Sequence, residues 1–336
     1  MSFLHRLYRY YFPDFLAKQY ISKMKLATGI VLMYHEVLPD DFDMPSWLVV
    51  KESEFKKQMQ FLAQHFDVLS LDDAINRVRG ETQGEKPFAV VTFDDGYKGN
   101  LTTVLPIMES MGLSFTVYLA TSAIVNSETY WYDQIIGLLS LRSDVSIRFE
   151  LSFTGSARYF SYLVPLKASP RRRWAAMEAV LNDLKKLSPS ERAEAVRQIT
   201  ESHKPEDNVE MLLVDDVKKI SMSRLVTIGS HTHSHEMLDQ LDENETVGSI
   251  SRADQNIFEM TGRASKHFAY PNGSYDEHVV NLLENSDYTT AVTTDFGVFD
   301  SKSHIYKIPR IGVGRFDSFS KFKSLFSSDF INATKK

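Results

Sequence analysis

The sequence contains no cysteine among its 336 residues. This absence excludes disulfide bonds, cysteine-ligated zinc, iron–sulfur clusters and thiol nucleophiles. No run of 18 apolar residues occurs either, so we expect no membrane-spanning helix. Basic residues are in the minority, and the net charge of −6 argues against nucleic-acid binding by charge alone. What remains is an ordinary globular composition, in a chain long enough for two domains or for one α/β barrel with an insertion.

Residues 1–27 form an amphipathic segment. They begin with MSFLHRLYRYYFPDF, which lacks the apolar core and the small-residue cleavage site of a secretory signal. One helical face carries Leu4, Leu7, Tyr8 and Tyr11, and the basic residues Arg6 and Arg9 lie off it. The pattern is consistent with peripheral contact of residues 1–25 with a membrane surface, and also with a short helix docked on the protein's own core. We expect a cytoplasmic protein that could rest on the inner membrane.

Short apolar runs alternate with helical patterns over residues 28–129 and 216–320. The runs GIVLMY, FAVVTF, SFTVYLA and LVTIGS predict buried strands, and their alternation with helices predicts a parallel sheet. Residues 130–215 depart from this pattern. A short alternating segment, SIRFELSF, is followed there by two helical stretches, and Ser188 begins the second with Pro and Glu at the favoured positions. We therefore expect a mostly helical insertion.

Two carboxylates and a glycine, Asp94–Asp95–Gly96, follow the run FAVVTF directly. Ligands of parallel α/β folds bind at the carboxyl ends of strands. Adjacent side chains point in different directions, so one carboxylate could bind a metal while the other stays free as a base. The alternative is a solvated turn, since Asp and Gly both favour turns.

Three histidines, His231, His233 and His235, follow the run LVTIGS. Imidazole is the commonest metal ligand. If the chain turns into a helix here, His231 and His235 face the same way, whereas in an extended chain all three line one face. The spacing favours His231 and His235 as ligands and leaves His233 open, against the alternative of a polar loop that is rich in His by chance.

Two further motifs stand at predicted strand ends. Tyr34–His35–Glu36 ends GIVLMY, so His35 could face the same mouth, although a lone His is more often structural. The segment 268–273, FAYPNG, could wall a pocket with Tyr270, Pro271, Asn272 and Gly273, but PNG is also a common turn. One carboxylate and two imidazoles for a metal, with a spare carboxylate and a spare imidazole, suit metal-assisted hydrolysis.

These motifs together resemble the polysaccharide deacetylases, that is, carbohydrate esterase family 4 or NodB-homology proteins. The resemblance rests on TFDDG at 92–96, HTxxH at 231–235, FAYPNG and YHEV, and it covers roughly 28–125 and 220–315. It implies a distorted, incomplete (β/α) barrel, probably of seven parallel strands. It also implies removal of an acetyl group from an N-acetylated sugar, with a divalent metal, most simply Zn²⁺, as cofactor.

The resemblance also implies a role for individual residues. Asp94 corresponds to the catalytic base, Asp95, His231 and His235 to the metal ligands, and the backbone amide of Tyr97 to the oxyanion donor. His233 falls at a variable position.

Three departures from the family pattern concern the remaining roles. Ala269 stands where many members have an Arg that pairs with the base, as in an FAYP-type branch, and Arg310 could supply that cation. No Leu-x-His motif follows residue 304, so we propose His35 as the catalytic acid. The insertion lengthens the spacing between the motifs, and Tyr130 and Trp131 are candidates for stacking on substrate, or simply pack the insertion.

The sequence leaves other functions open. Relatives hydrolyse O-acetyl esters or cyclic amides, and the motifs do not distinguish these from N-deacetylation. A non-catalytic carbohydrate-binding module is a further alternative. The expected substrate is an N-acetylated glycan of a bacterial cell-surface polysaccharide, or its lipid-linked or nucleotide-linked precursor.

Overall fold

The fold comes from a computed structural model that describes residues 12–326 except 43, 142–143, 154–155, 166 and 204–208. Its strands, in chain order, are β1 (Gly29–Tyr34), β2 (Glu36–Leu38), β3 (Val49–Lys51), β4 (Asp67–Val68), β5 (Phe88–Phe93), β6 (Phe115–Leu119), β7 (Val145–Phe153), β8 (Ser156–Val164), β9 (Val226–Ser230), β10 (His267–Ala269), β11 (Thr290–Val292) and β12 (Ile311–Gly312).

The helices of the described residues separate most of these strands. They are α1 (Asp14–Ile21), α2 (Glu52–His65), α3 (Leu71–Val78), α4 (Leu105–Met111), α5 (Thr121–Asn126), α6 (Trp131–Ile136), α7 (Pro170–Lys185), α8 (Pro189–Ser202), α9 (Val214–Ile220), α10 (Glu243–Thr261), α11 (Glu277–Glu284) and α12 (Phe319–Ser324).

The main sheet is a parallel, incomplete barrel. Seven strands follow the order β11-β10-β9-β6-β5-β1-β12, and the short β4 pairs with β5 from outside this path. Strands β1 and β5 are buried along their whole length, as expected for parallel strands covered on both faces. Between β11 and the chain that leads into β12, the described pairing is an isolated bridge, Val292–Ile308. The predicted incomplete (β/α) barrel of seven strands is confirmed.

Helix boundaries follow the local signals of the sequence. The Ser188 side chain accepts from the Glu191 amide, and the Glu191 carboxylate accepts from the Ser188 amide, which satisfies two otherwise unpaired donors at the start of α8. Asp276 caps α11 in a similar way through the Val279 amide. Gly112 adopts a left-handed conformation, with φ of 65°, where α4 ends.

The segment expected to be a helical insertion contains helices and a β-hairpin. Its helices α6, α7 and α8 pack around the buried face of the hairpin β7–β8, whose strands pair from Val145–Val164 to Phe153–Ser156. The alternating run SIRFELSF lies in the first of these strands. Its partner strand has no equally clear signal in the sequence. The division into residues 1–27, 28–129 with 216–320, and 130–215 stays a prediction.

The amphipathic N-terminal stripe of residues 1–11 lies outside the described residues, so its membrane contact stays a prediction. Helix α1 begins directly after Pro13 and packs against the main core through Ala17 and Ile21. Lys323 from α12 pairs with Asp14 at 2.5 Å and joins the two ends of the described chain. Each helix within the described ranges is too short or too polar to cross a lipid bilayer.

Candidate metal centre and catalytic cleft

The sequence motifs meet at the carboxyl edge of the parallel sheet. Asp94 and Asp95 follow β5, His231 follows β9, and His35 follows β1. These four side chains and His235 line one cavity of about 360 Å³. The rule that strand ends of a parallel sheet share one edge therefore accounts for the convergence of residues that are far apart in sequence.

Asp95, His231 and His235 form a cluster that could hold a metal ion. Asp95 Oδ1 lies 3.5 Å from His231 Nε2 and 3.4 Å from His235 Nε2. Two ligand atoms that are each about 2.1 Å from a tetrahedral zinc lie about 3.4 Å apart, so the spacing fits such an ion. Asp95 Oδ1 is buried and has no hydrogen-bond partner among the described residues, as expected for an atom whose partner is a cation.

Left-handed backbone conformations bring the two imidazoles together. Residues 231–235 form neither a helix nor a strand, because Thr232 and His235 have φ angles of 66° and 55°. The two rings that result lie edge to face, with centroids 4.9 Å apart and planes at 74° to each other. His233 instead turns away, and its Nδ1 lies 2.9 Å from Thr121 Oγ1. The loop is therefore neither the helix nor the extended chain that the sequence suggested.

The hydrogen bonding of His231 leaves its Nε2 atom available to coordinate a metal. Its Nδ1 donates to the carbonyl oxygen of Ala269 at 2.6 Å, and because a carbonyl only accepts, Nδ1 carries the proton. The Nε2 atom that faces Asp95 is then free to coordinate. Burial lowers the pKa of His231 and lowers that of His235 well below its ordinary value, so both rings are neutral, as ligands must be.

Asp94 is held by Arg310 in a buried, two-pronged ion pair. Arg310 Nη1 and Nη2 donate to Asp94 Oδ1 and Oδ2, each at 2.7 Å, and neither side chain is more than 4% exposed. Burial on its own would raise the pKa of Asp94, but the adjacent guanidinium outweighs it and lowers the pKa to about 2. Asp94 is therefore a fixed carboxylate beside the candidate metal ligands.

Asp95 has the opposite electrostatic character. Burial, followed by the nearby Asp94 charge, raises its pKa to about 7. A carboxylate so destabilised as an anion gains most from a bound cation. The environments of these two adjacent carboxylates thus differ. Asp94 is stable as a free anion, as a base must be, whereas Asp95 requires a bound cation, as a metal ligand does.

A buried hydrogen-bond network lies near the candidate metal ligands. The Tyr97 hydroxyl donates to Asp133 at 2.9 Å from one carboxylate oxygen and 3.1 Å from the other. Burial, followed by the Asp95 charge, raises the pKa of Asp133 well above its ordinary value. The backbone N–H of Tyr97 donates to no acceptor among the described hydrogen bonds and stays available for a ligand.

His35 lies in the cavity wall beside Trp47, with their ring centroids 5.7 Å apart. Its Nδ1 is buried without a partner in the described part of the chain. Burial lowers the pKa of His35 to about 4, even though the Asp94 charge opposes this effect. The ring is thus neutral near pH 7, and an acid role requires that it receives a proton during the reaction.

The motif FAYPNG contributes one side chain to the cavity. Asn272 lines it, and its Oδ1 accepts from Lys185 Nζ at 2.8 Å. Tyr270, Pro271 and Gly273 are not among the described lining residues, and the Tyr270 hydroxyl donates to the Tyr306 carbonyl instead.

The aromatic side chains predicted to stack on substrate occupy different surroundings. Trp131 packs at the margin of the insertion core, with the Arg192 guanidinium 5.3 Å from its ring, and is also not among the described lining residues. Tyr130 is buried, and its hydroxyl donates to the Ala120 carbonyl at 2.5 Å. In these surroundings Trp131 and Tyr130 resemble core residues.

Several cavity residues were not identified from the sequence. Most come from the β2–β3 connection, from α6 and from α7, and the full set is Met33, Trp47, Leu48, Tyr132, Ile136, Trp174, Glu178, Leu181, Asn182, Lys185 and Thr294. The available signal was the spacing in α7, where residues 174, 178, 181 and 185 share one helical face. That spacing predicts that the four residues share one face of the helix, but it does not predict which part of the protein this face contacts.

Comparison with known proteins supports the family resemblance. Residues 178–291 match the family model described as polysaccharide deacetylase, a stretch that includes His231 and His235 but not the DDG motif. The sequence matches none of the curated proteins with which it was compared. The match covers about a third of the chain and agrees with the resemblance of its motifs to the polysaccharide deacetylases, while its place in an FAYP-type branch stays a prediction.

Solved structures share the fold at low sequence identity. The Streptococcus pyogenes deacetylase PplD, solved with acetate, is 13% identical with a TM-score of 0.56, over 92% of this chain and 98% of that one. IcaB from Ammonifex degensii is 14% identical with a TM-score of 0.55, over 90% and 97%. The BpsB deacetylase domain from Bordetella bronchiseptica is 14% identical with a TM-score of 0.53, over 86% and 97%.

Proposed function

We propose that this protein is a metal-dependent hydrolase that removes the acetyl group from an N-acetylated sugar of a bacterial cell-surface polysaccharide or its precursor. The observation that carries the proposal is the buried, unpartnered Asp95 Oδ1, which faces the Nε2 atoms of His231 and His235 beside an ionised Asp94. The family match and the deacetylase structures with this fold support the same reaction.

A divalent cation would be held by Asp95, His231 and His235, and we propose Zn²⁺ because nitrogen and carboxylate ligands suit it. When bound, such an ion lowers the pKa of water and polarises a carbonyl group. The donor set fits: one orphaned carboxylate oxygen and two neutral imidazoles, one of them oriented by a backbone carbonyl.

Asp94 is suited to accept a proton from the attacking water. Its pKa of about 2 keeps it ionised, and Arg310 holds both oxygens so that the carboxylate cannot rotate away. Arg310 thereby acts as a positioning residue. The free backbone N–H of Tyr97 is suited to donate to the oxygen that becomes negative as the acetamide carbonyl is attacked.

His35 is suited to deliver a proton to the departing sugar amine. An amide nitrogen leaves only as a protonated amine, so some residue must donate. With a pKa of about 4 the ring is neutral beforehand, and it would be charged only when the reaction places a proton on it beside Asp94. The acid role of His35 is thus tied to the base role of Asp94.

Acetate release with metal depletion tests this proposal. The purified protein is treated with a chelator, reloaded with Zn²⁺, and offered free, lipid-linked and nucleotide-linked N-acetylhexosamines together with O-acetylated sugars and a cyclic amide. Zinc-dependent acetate release from the N-acetyl substrates is the expected result. Release from O-acetyl sugars alone, or hydrolysis of the cyclic amide alone, would identify the other reactions of this fold. Binding of sugar without turnover would identify a non-catalytic module.

A further inference from the structure

One face of α7 forms a wall of the catalytic cavity. Trp174, Glu178, Leu181, Asn182 and Lys185 all line the cavity that also contains Asp95 and the two candidate histidine ligands. The helix has 16 residues and is therefore about 24 Å long. It lies within residues 130–215, the segment predicted to be an insertion, so this wall adds to the strand ends and loops of the barrel.

The helix is fastened to the barrel near both of its ends. Near the start of α7, the Arg171 guanidinium donates to the Phe316 carbonyl at 3.2 Å and lies 5.4 Å from the Phe316 ring. At the other end, Lys185 Nζ donates to Asn272 Oδ1 at 2.8 Å. The two barrel residues lie just beyond β12 and β10 respectively.

These two attachment points lie on either side of the place where the barrel is least complete. In the sheet order β10 lies next to β11, and β11 and β12 are the two edges. The described pairing between those edges is the isolated bridge Val292–Ile308. Helix α7 therefore passes over the incomplete side of the barrel at the mouth of the site.

Side chains from two other segments form further walls of the cavity. Trp47 and Leu48 line it from the β2–β3 connection, and Tyr132 and Ile136 line it from α6. The cavity is open to solvent on one side, and its volume of about 360 Å³ is near the low end of the range for small-molecule pockets, about 300–1,000 Å³. A polymer that is modified at an internal unit must enter and leave the site, which requires a groove open at both ends.

We propose that α7 is a fixed wall that restricts the site to the terminal sugar unit of a glycan, or to one sugar on a small carrier, and excludes internal units of a polymer. This inference rests on the proposed deacetylase function. The wall supplies the contacts a single sugar ring requires: the apolar face of Trp174, and Glu178 and Asn182 for hydroxyl groups.

The test maps which units of an N-acetylhexosamine hexasaccharide lose acetate in the zinc-loaded protein. Mass spectrometry after limited turnover gives the ratio of internal to terminal deacetylation. The ratio is compared in the double variant Arg171→Met/Lys185→Met, which removes both attachments. The matched control is Arg172→Met/Lys186→Met, which removes the same charges one residue further along. Denaturation curves establish that both variants are folded.

We expect loss of acetate at one terminal unit in the wild type and in the control. In the variant without attachments the internal-to-terminal ratio is expected to rise about threefold or more, since two exposed contacts are lost. Internal deacetylation as fast as terminal in the wild type, or the same ratio in both double variants, would contradict the inference alone. Absence of acetate release from every substrate would instead contradict the proposed function and the inference with it.

Discussion

Arg310 grips Asp94 with both terminal nitrogens although the two residues are 216 positions apart in the chain. Two further donors of the guanidinium are also engaged, because Nε donates to the Thr293 carbonyl at 2.8 Å and Nη1 lies 3.2 Å from Thr92 Oγ1. Arg310 therefore joins the strand that carries the proposed base to the far edge of the barrel, and Asp94 has one orientation.

Two replacements of Arg310 distinguish the effect of its positive charge from the effect of its bidentate contact with Asp94. Arg310→Lys keeps a cation but loses the two-pronged contact, and we expect kcat to fall about 10²-fold because the base is misplaced. Arg310→Met leaves Asp94 buried and unpaired, and the free energy of unfolding in urea is expected to fall by about 3–5 kcal/mol. Metal content should stay unchanged in the Lys variant. Full activity of that variant would show that the orientation of Asp94 does not matter.

Replacement of His35 tests the proposed acid. Loss of a general acid lowers kcat about 10²–10⁴-fold, so His35→Gln is expected to lose activity in that range while keeping its metal. The control is His278→Gln, which changes an exposed histidine on α11. Activity within about threefold of the wild type would remove His35 from the mechanism.

The raised pKa of the buried Glu36 side chain should make the stability of the protein depend on pH. Burial raises its pKa to about 8, although the N–H groups of Gly99 and Val37 favour the charged form. The folded state holds this proton more tightly than the unfolded state, so the Glu36 contribution to stability is present below about pH 4.5 and is lost as pH rises towards 8. Glu36→Gln should flatten the slope of unfolding free energy against pH between these values. Urea denaturation at a series of pH values measures it, and an unchanged slope would contradict the assignment.

Two tryptophans of the insertion are expected to behave differently. Trp174 lines the cavity, so Trp174→Ala should raise KM for the sugar about tenfold with little change in stability. Trp131 packs at the margin of the insertion core, so Trp131→Ala should lower the free energy of unfolding by about 2 kcal/mol and leave KM unchanged. An increase in KM for Trp131→Ala would favour the stacking role predicted from the sequence.

Much of the fold and the position of the site were predictable because they depend on local rules. Buried strands of a parallel sheet are continuous apolar runs, as in GIVLMY and FAVVTF, and their carboxyl ends share one edge. Those two rules bring Asp94, Asp95 and His231 together without knowledge of the structure.

The details that escaped prediction depend on contacts between distant segments. The positive φ angles of Thr232 and His235 are unfavourable for these residue types and persist because the surrounding fold imposes them. The position of α7 over the mouth depends on Lys185 and Arg171 meeting loops more than 80 positions further along the chain. No periodicity in the sequence encodes such contacts.

Metal analysis of two neighbouring variants, combined with acetate release, tests the central claim most directly. Asp94→Asn should keep about one metal ion per chain and lose acetate release, because it removes a base and leaves the ligands intact. Asp95→Asn should lose both the metal and the activity. Retention of the metal by Asp95→Asn, or its loss from Asp94→Asn, would contradict the division of roles between these two carboxylates.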